Sequence, residues 1–435
     1  MKQISILFAF IIASMVSAIA QVPVGTGATL NYGAIEKKLQ KSDQTIQDSK
    51  KGSDPKTWLE RAKIFQDIFD VNTQLLRSSG MAVPELKLLY KEPKEIKKIE
   101  QGGSVIDQYV YDRILINVEN GNVKSWEETQ VINPEPLKEA LKSYTKASEL
   151  DKDGKLKKKI TEGLKELKSK FEKQALNEYN LKNFAKSHEA FKSIVEIGEN
   201  PLVNTSDTLI IYYTGVTANE AGKPGEAIKY FNKAIDLKYN SPSVYLDLSK
   251  AYLATGDSAQ SINALQQGFQ KYPENVSILI ELINYYLVKG QSKEALEYLN
   301  KAKESDPNNK SFYFAEGTLY DKMGDSENSI NSYNKSIELD PSYYDAYYNA
   351  AVVYYNSAVK MMENAVNESD NKKYLEKKAL AEEEFKKAIP YMEKASEINP
   401  NELSPLETLK ALYYRLKIND KLEIVNQKIK ELKGI

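Results

Sequence analysis

The sequence has no cysteine, one histidine and two tryptophans in 435 residues. Without cysteine there is no disulfide framework, no thiol nucleophile and no thiolate metal site. Because His188 is the only histidine, a metal site built on several imidazoles is excluded, and a Ser-His-Asp arrangement has one histidine available. We expect His188 to lie at the surface or at the boundary of the core, without a catalytic role.

Neither sign of charge is in excess, since 60 lysines and arginines face 61 aspartates and glutamates. This balance gives no general attraction to nucleic acid or to anionic membranes. The chain has no phosphate-binding loop, no glycine-rich dinucleotide motif and no metal-ligand cluster. The many carboxylates offer no pair that stands out as a general acid and base. We therefore predict no cofactor, no metal and no enzyme activity.

Long apolar runs are missing except near the N-terminus. Residues 4–16 form an apolar run of 13, with Lys2 before it and small residues at 18–20. This pattern is typical of a secretory signal peptide and is too short for a spanning helix, with an N-terminal membrane anchor as the alternative. We expect cleavage before Gln21 and a soluble protein in the periplasm or outside the cell. No cysteine follows the cleavage site, so we expect no lipid anchor.

A 34-residue period dominates the middle of the chain. It is carried by Pro273, Pro307 and Pro341, by Gly222, Gly256, Gly290 and Gly324, and by Tyr252, Tyr286, Tyr320 and Tyr354. A fixed period of this length indicates stacked helical repeats. In each unit the glycine would end the first helix in the left-handed conformation, and the proline would follow the second helix.

Residues at fixed offsets within these units resemble the tetratricopeptide repeat family. The unit at 276–309 carries Leu279, Leu282, Tyr286, Ala295, Leu299, Ala302 and Pro307, and the units at 208–241, 242–275 and 310–343 carry similar sets. The resemblance implies an all-α solenoid, a right-handed superhelix of helix pairs whose stability comes from stacking of neighbours. With the signal peptide, the lysine-, asparagine- and tyrosine-rich body also looks like secreted repeat proteins of Bacteroidota.

Two segments interrupt the helical pattern. From residue 78 to 133 the helical period fails, and the runs 108–118 and 123–132 are rich in Tyr, Val, Ile and Thr. Asn120-Gly121 between them predicts one inserted β-hairpin, because both turn positions need a positive φ. Farther on, Pro400 falls 25 residues later than the period places it, which predicts a helical-hairpin insertion in the fifth unit.

The predicted organisation follows from these patterns. It comprises a signal peptide at 1–20, a lead-in and helix at 21–54, a divergent unit at 55–152 split by the hairpin insertion at about 79–134, a second divergent unit at 153–207, four regular units at 208–343, a fifth unit with its insertion at 344–402, and capping helices at 403–435.

The resemblance also implies a binding surface, because in this family the first helix of each unit lines a concave groove. The family's groove positions fall on Tyr212, Val216, Asn219, Leu246, Lys250, Leu253, Ile280, Asn284, Leu287, Phe314, Thr318, Asp321, Tyr348, Val352 and Tyr355. This set lacks the Lys/Arg/Asn combination with which some members clamp a peptide's terminal carboxylate, so we do not expect that ligand. Apolar rows rimmed by polar groups favour a partner helix or an extended segment.

We therefore expect a non-enzymatic periplasmic scaffold that binds a protein partner through this groove, in envelope assembly or secretion. Three alternatives stay open. In the first, the groove positions are packed inside the protein or covered by its own insertions. In the second, the aromatic residues between 109 and 126 bind a glycan or another ligand, and in the third the protein has a structural role through self-association.

Overall fold

The computed structural model describes residues 31–77, 80–90, 92–101 and 104–434. The signal peptide predicted at 1–20 and the proposed mature start at Gln21 lie outside these residues. The chain forms two compact units, one ending at Gly256 and the other beginning at Asp257. We call them the N-terminal unit and the C-terminal unit.

The N-terminal unit is helical apart from one small sheet. Its helices are α1 (Tyr32–Gln47), α2 (Pro55–Thr73), α3 (Val83–Tyr90), α4 (Pro136–Leu150), α5 (Lys157–Asn180), α6 (Phe184–Glu199), α7 (Thr208–Glu220), α8 (Pro224–Asp236) and α9 (Ser243–Ala254). Helix α2 packs against α4, α5 against α6, and α7 against α8. The helices thus pack pairwise, although the inserted sheet separates α2 from α4 in the sequence.

The described residues of the C-terminal unit form helices and no strands. The helices are α10 (Ser258–Lys271), α11 (Val276–Val288), α12 (Ser292–Ser305), α13 (Lys310–Lys322), α14 (Ser326–Leu339), α15 (Tyr344–Val366), α16 (Asn371–Ile398), α17 (Leu403–Arg415) and α18 (Asn419–Lys433). Helix α11 packs against α12, α13 against α14, α15 against α16, and α17 against α18. The predicted helical-repeat fold with a β insertion in its N-terminal half is confirmed.

The periodic glycines end first helices, as the sequence predicts. The φ angles of Gly222, Gly290 and Gly324 are 73°, 71° and 77°. After α7, the amide of Gly222 donates to the carbonyl oxygen of Asn219, and the next amide donates to that of Ala218. A left-handed residue lets the chain reverse while it satisfies these last carbonyls, and glycine adopts that conformation without a steric cost.

Close approach of paired helices depends on glycine facing an aromatic ring. A Cβ added to Gly215 on α7 would lie 2.7 Å from the ring of Phe231 on α8. A Cβ added to Gly317 on α13 would lie 2.7 Å from the ring of Tyr333 on α14. Both rings are buried, so the small residue on one helix makes room for the large one on its partner.

The insertion in the N-terminal unit is a four-stranded antiparallel sheet. Its strands β1 (Glu95–Gln101), β2 (Ser104–Val110), β3 (Ile114–Glu119) and β4 (Asn122–Glu128) lie in sequence order. The predicted hairpin is confirmed as β3 and β4, and its turn residues Asn120 and Gly121 have φ angles of 50° and 76°. The structure adds β1, the first part of β2 and α3, which the sequence did not predict. The predicted run 108–118 is divided by a turn in which the amide of Tyr111 donates to the carbonyl oxygen of Ile114.

The sheet has its own small core against α3. Ile116 and Trp126 of the sheet are 0% and 3% exposed, and Leu86 of α3 is also fully buried. The insertion therefore has a hydrophobic core formed mainly by its own apolar residues.

Helices α15 and α16 are longer than the other paired helices of the C-terminal unit, with 23 and 28 residues. Ala358 and Phe385 lie fully buried between them. The assignment of 25 of these residues to an insertion, and the division of the chain into repeat units, stay predictions.

Candidate functional site

The predicted groove residues fall on first helices of both units, so we describe each unit separately. In the N-terminal unit, α7 carries Tyr212 and Asn219, and α9 carries Leu246, Lys250 and Leu253. In the C-terminal unit, α11 carries Ile280, Asn284 and Leu287, α13 carries Phe314, and α15 carries Tyr348 and Tyr355.

Most of the predicted residues of the N-terminal unit are accessible. Leu253 is 55% exposed, Lys250 is exposed, and Asn219 and Leu246 are half-buried. The ammonium of Lys250 lies 3.5 Å from a carboxylate oxygen of Asp247, one turn earlier on α9. Lys250 and the apolar side chain of Leu253 are therefore both accessible on α9.

Tyr212 differs from its neighbours because it is only 8% exposed. Its ring stacks on Tyr239 with centroids 4.8 Å apart, and its hydroxyl donates to Asp247 Oδ2 over 2.7 Å. Burial, and next the charge of Asp247, raise the pKa of Tyr212 well above its ordinary value. The hydroxyl therefore keeps its proton and its donor role, and Tyr212 holds Asp247 in place from within the core.

The exposed side of α11 carries accessible apolar side chains. Ile280 is 45% exposed, Asn284 is exposed and Leu287 is half-buried. Their spacing of four and three residues places them on one face of the helix. The opposite side of α11 is also apolar and packs into the core, where Leu282 is fully buried. We call Ile280, Asn284 and Leu287 the α11 stripe.

The aromatic groove residues of the C-terminal unit are half-buried and held by other rings. Phe314 lies 5.6 Å from Tyr333 and 5.4 Å from Tyr343 between ring centroids. Such ring pairs fix the orientation of a side chain by packing, which leaves less freedom to lose when a partner binds.

On α15, Tyr348 stacks on Tyr344 at 5.9 Å, and Tyr355 meets the ring of Phe385 edge to face at 5.4 Å. Burial is the main cause that raises the pKa of Tyr344 to about 12. Tyr344 therefore stays neutral at physiological pH. Tyr348 and Tyr355 are half-buried, and they present ring edges and hydroxyl groups.

The expectation for His188 is wrong, because this side chain on α6 is fully buried. Its Nδ1 lies 3.0 Å from the carbonyl oxygen of Thr214 on α7, and its Nε2 lies 3.1 Å from Glu226 Oε2 on α8. The hydrogen bond with His188 is the main cause that lowers the pKa of Glu226. His188 thus joins three helices. The signal was present in its spacing, four residues after Phe184 and three before Phe191, on the apolar face of α6.

The aromatic residues of the inserted sheet pack inside it. Tyr109 and Trp126 are 6% and 3% exposed, so their ring faces are not available for stacking on a sugar. Tyr111 is half-buried, and its ring lies 5.6 Å from that of Tyr90. The ammonium of Lys173 on α5 lies 5.5 Å from the ring of Trp126, and burial lowers the pKa of Lys173 to about 8. In addition, the side chain of Asn177 exchanges two hydrogen bonds with the backbone of Trp126, at 2.8 and 3.0 Å. These contacts attach the sheet to α5.

A further set of polar residues was missed although it follows the repeat. Amide side chains recur every 34 residues, at Asn232, Gln266, Asn300 and Asn334. Gln266 donates to the hydroxyls of Tyr286 and Tyr298, each over 3.0 Å, and Asn232 donates to the hydroxyl of Tyr252 over 3.5 Å. In these two cases the amide on a second helix bonds the periodic tyrosine that follows it by 20 residues, a relation that the spacing could have revealed.

Neither a metal centre nor a membrane span is found within the described part of the chain. Over these ranges no three carboxylate or imidazole side chains are grouped so as to hold a metal ion. The same residues include no helix long and apolar enough to cross a membrane.

Two stretches of the chain match models of known protein families. Residues 246–310 match a family model described as tetratricopeptide repeat, and residues 317–357 match one described as TPR repeat. Both matches support the tetratricopeptide repeat family, whose repeats are generally non-enzymatic scaffolds for protein–protein interaction. No curated protein matches the chain.

Solved structures with similarity to this chain include several repeat proteins. A TPR repeats protein from Bacteroides fragilis is 23% identical over 57% of this chain and 98% of its own, with a TM-score of 0.32. The C-terminal part of a TPR repeat-containing protein from Cytophaga hutchinsonii is 17% identical over 60% of this chain and 94% of its own, with a TM-score of 0.42. YrrB, a TPR protein with an unusual peptide-binding site, is 21% identical over 51% of this chain and 99% of its own, with a TM-score of 0.34.

Proposed function

We propose that this protein is a non-enzymatic scaffold that works outside the cytoplasm and binds another protein through the α11 stripe. The observation that carries the proposal is the exposure of Ile280, at 45%, on a helix whose other side is already buried in the core. Ile280 and Leu287 lie on one face of α11 with Asn284 between them, and an exposed apolar patch rimmed by polar residues marks an interaction site. Phe314, Tyr348 and Tyr355 would extend the contact within the same unit.

The α11 stripe favours a partner of particular chemistry. Two aliphatic side chains with an amide between them fit a helix that presents apolar residues at intervals of three and four. Asn284 can donate to and accept from a polar group of that helix, which would fix its register. No charged side chain belongs to the stripe, so charge pairing is not expected to dominate the affinity.

Export supports a role in envelope assembly or secretion. The proposal rests on Lys2, on the apolar run at residues 4–16 and on the small residues at 18–20. N-terminal sequencing of the protein from the periplasmic or secreted fraction tests it, and the expected first residue is Gln21. Recovery of the chain only in the cytoplasm, still carrying Met1, would contradict export.

The binding surface can be tested with two identical substitutions in one unit. Ile280→Glu places a carboxylate on the α11 stripe, whereas Ile424→Glu places one at a 68% exposed isoleucine on α18, a second helix. A photo-crosslinking residue at position 284 captures the partner in the source cells, and mass spectrometry identifies it. We expect Ile280→Glu to lower the crosslinked yield at least about tenfold, since a buried charge without a counter-ion costs well over the 1.4 kcal/mol that a factor of ten represents.

The control variant should keep the wild-type yield. Equal yields from wild type, Ile280→Glu and Ile424→Glu would show that the α11 stripe does not bind the captured protein. Loss in both variants would point to impaired folding, which circular dichroism of the purified proteins would reveal.

A further inference from the structure

One edge of the inserted sheet is closed by other parts of the chain. Strand β4 is bonded along its outer edge by Asn177, which pairs with the backbone of Trp126 at 2.8 and 3.0 Å. Asn180 donates to the carbonyl oxygen of Lys124 over 2.7 Å. Near the turn, Ala82 forms a bridge with Asn122. These contacts supply the partners that a fifth strand would otherwise supply.

The opposite edge is open. Strand β1 pairs with β2, and no other strand of the described residues pairs with its free side. The apolar side chains nearby are accessible, since Ile96 is 48% exposed and Val105 on β2 is 64% exposed. An edge with unpaired amides and carbonyls beside exposed apolar residues is a template for strand addition.

The charges of β1 form a self-complementary pattern. Lys98 and Glu100 are two residues apart, so they project from the same face of the strand. Among the described residues, neither of these two side chains has an ion-pair partner. Lys97, on the other face, lies 3.3 Å from Glu95 of the same strand. The pair Glu95–Lys97 is therefore formed within the strand, whereas Lys98 forms no ion pair although the β1–β2 register places Asp107 opposite it.

We propose that β1 pairs antiparallel with β1 of a second copy of this chain, centred on Ile99. A two-fold axis through the sheet at Ile99 sets this residue opposite Ile99 of the second copy. It also sets Lys98 opposite Glu100 of the second copy, and Glu100 opposite the second copy's lysine. The two free charges of each chain are then neutralised on one face, and the four-stranded sheets join into one of eight strands.

Other centres of the same two-fold pairing fit less well. A centre at Lys98 sets two lysines directly opposite each other, which is repulsive. A centre at Ile96 pairs Glu95 with Lys97, charges that already meet within one strand, and sets Lys98 opposite Lys94. Only the centre at Ile99 gives an apolar pair flanked by two new attractive pairs. The contact covers about five residues of each copy, so the dimer is expected to be weak and reversible.

Charge exchange tests this register directly. The four side chains that face one another are those at positions 98 and 100 of the two copies. In Lys98→Glu all four are acidic, and in Glu100→Lys all four are basic. A 1:1 mixture of the two variants restores both attractive pairs across a mixed dimer. Sedimentation equilibrium on the purified protein should show a concentration-dependent dimer for wild type, at least about tenfold weaker self-association for each variant alone, and near wild-type association for the mixture.

Lys97→Glu is the matched control, since Lys97 lies next in the strand and has its own partner. It should change the dimer constant by less than about threefold. A wild-type protein that stays monomeric at the highest concentration reached would overturn the proposal. So would a dimer that Lys98→Glu leaves unchanged, a dimer that Lys97→Glu weakens more, or a mixture that does not regain association. This inference does not depend on the α11 stripe, whose variants should dimerise as wild type.

Discussion

Replacement of His188 is the most informative perturbation of the N-terminal unit. The imidazole is fully buried, and both of its nitrogens face oxygen acceptors, the carbonyl of Thr214 and the carboxylate of Glu226. A carbonyl and an ionised carboxylate both accept hydrogen bonds, so each ring nitrogen of His188 lies against an acceptor. The imidazole is therefore held at both nitrogens inside the core, once by a neutral group and once by a carboxylate.

The expected cost of His188→Ala follows from these contacts. The variant removes a charge-assisted hydrogen bond to Glu226, worth about 1.5–3 kcal/mol, and one to a neutral carbonyl, worth about 1 kcal/mol. The carboxylate of Glu226 is 39% exposed and can be hydrated, which reduces the first figure. The carbonyl of Thr214 also accepts from the hydroxyl of Thr217, over 3.2 Å, and so keeps a partner. Removal of buried ring atoms adds a cavity term, and we expect a loss of about 2–4 kcal/mol in total.

Chemical denaturation followed by circular dichroism measures this loss, and its pH dependence identifies the cause. The pKa of Glu226 in the folded protein lies below its unfolded value, chiefly because of the hydrogen bond with His188. A carboxyl with a depressed folded pKa contributes stability that is present above the unfolded pKa and disappears as the pH falls through the folded one. The difference between wild type and Glu226→Gln should therefore be largest at neutral pH and shrink on acidification below about pH 4.5.

Two results would refute this reasoning. A loss below about 0.5 kcal/mol for His188→Ala would show that the buried imidazole is not bonded as described. A difference between wild type and Glu226→Gln that stays constant from pH 7 to pH 3 would show that the carboxylate charge is not part of the contact.

Two further substitutions test the packing. Gly317→Ala should lower the free energy of unfolding by about 1–3 kcal/mol, because its methyl group would lie 2.7 Å from the ring of Tyr333. In the control Gly225→Ala the added methyl group meets no atom within 4 Å. This control should be neutral or slightly stabilising in the same denaturation assay. Asn177→Ala should cost about 2–3 kcal/mol, because it leaves the buried backbone groups of Trp126 without partners, and hydrogen exchange at that amide should rise. A costly Gly225→Ala, or unchanged exchange in Asn177→Ala, would contradict these two assignments.

The repeat could be predicted from the sequence because its signals are local. Glycine at the end of a first helix, an apolar stripe at helical spacing and Asn120-Gly121 at a hairpin turn each act within a few residues. The close approach of Gly317 to the ring of Tyr333 joins two paired helices, and the sequence did not predict this contact.

The missed parts depend on contacts between residues far apart in the sequence. Strand β1 has the composition Glu-Ile-Lys-Lys-Ile-Glu-Gln, in which charges obscure the alternation, and it is a strand because β2 pairs with it. Tyr212 occupies a position expected in the groove, yet it packs inside because Tyr239 and Asp247 meet its ring and hydroxyl. Such partners come from neighbouring elements, which a repeat pattern on one helix does not specify.

The attachment of β4 to α5 has a consequence for synthesis. The amide that closes this edge, on Asn177, lies 51 residues after Trp126. A chain leaving the ribosome therefore exposes a finished β3–β4 hairpin before the helix that covers it has emerged. During that interval the bare edge is open to wrong partners, including other nascent chains, so slow translation between the two segments should raise aggregation. The outer edge of β4, which α5 covers in the folded protein, is thus exposed to aggregation for a short time during translation.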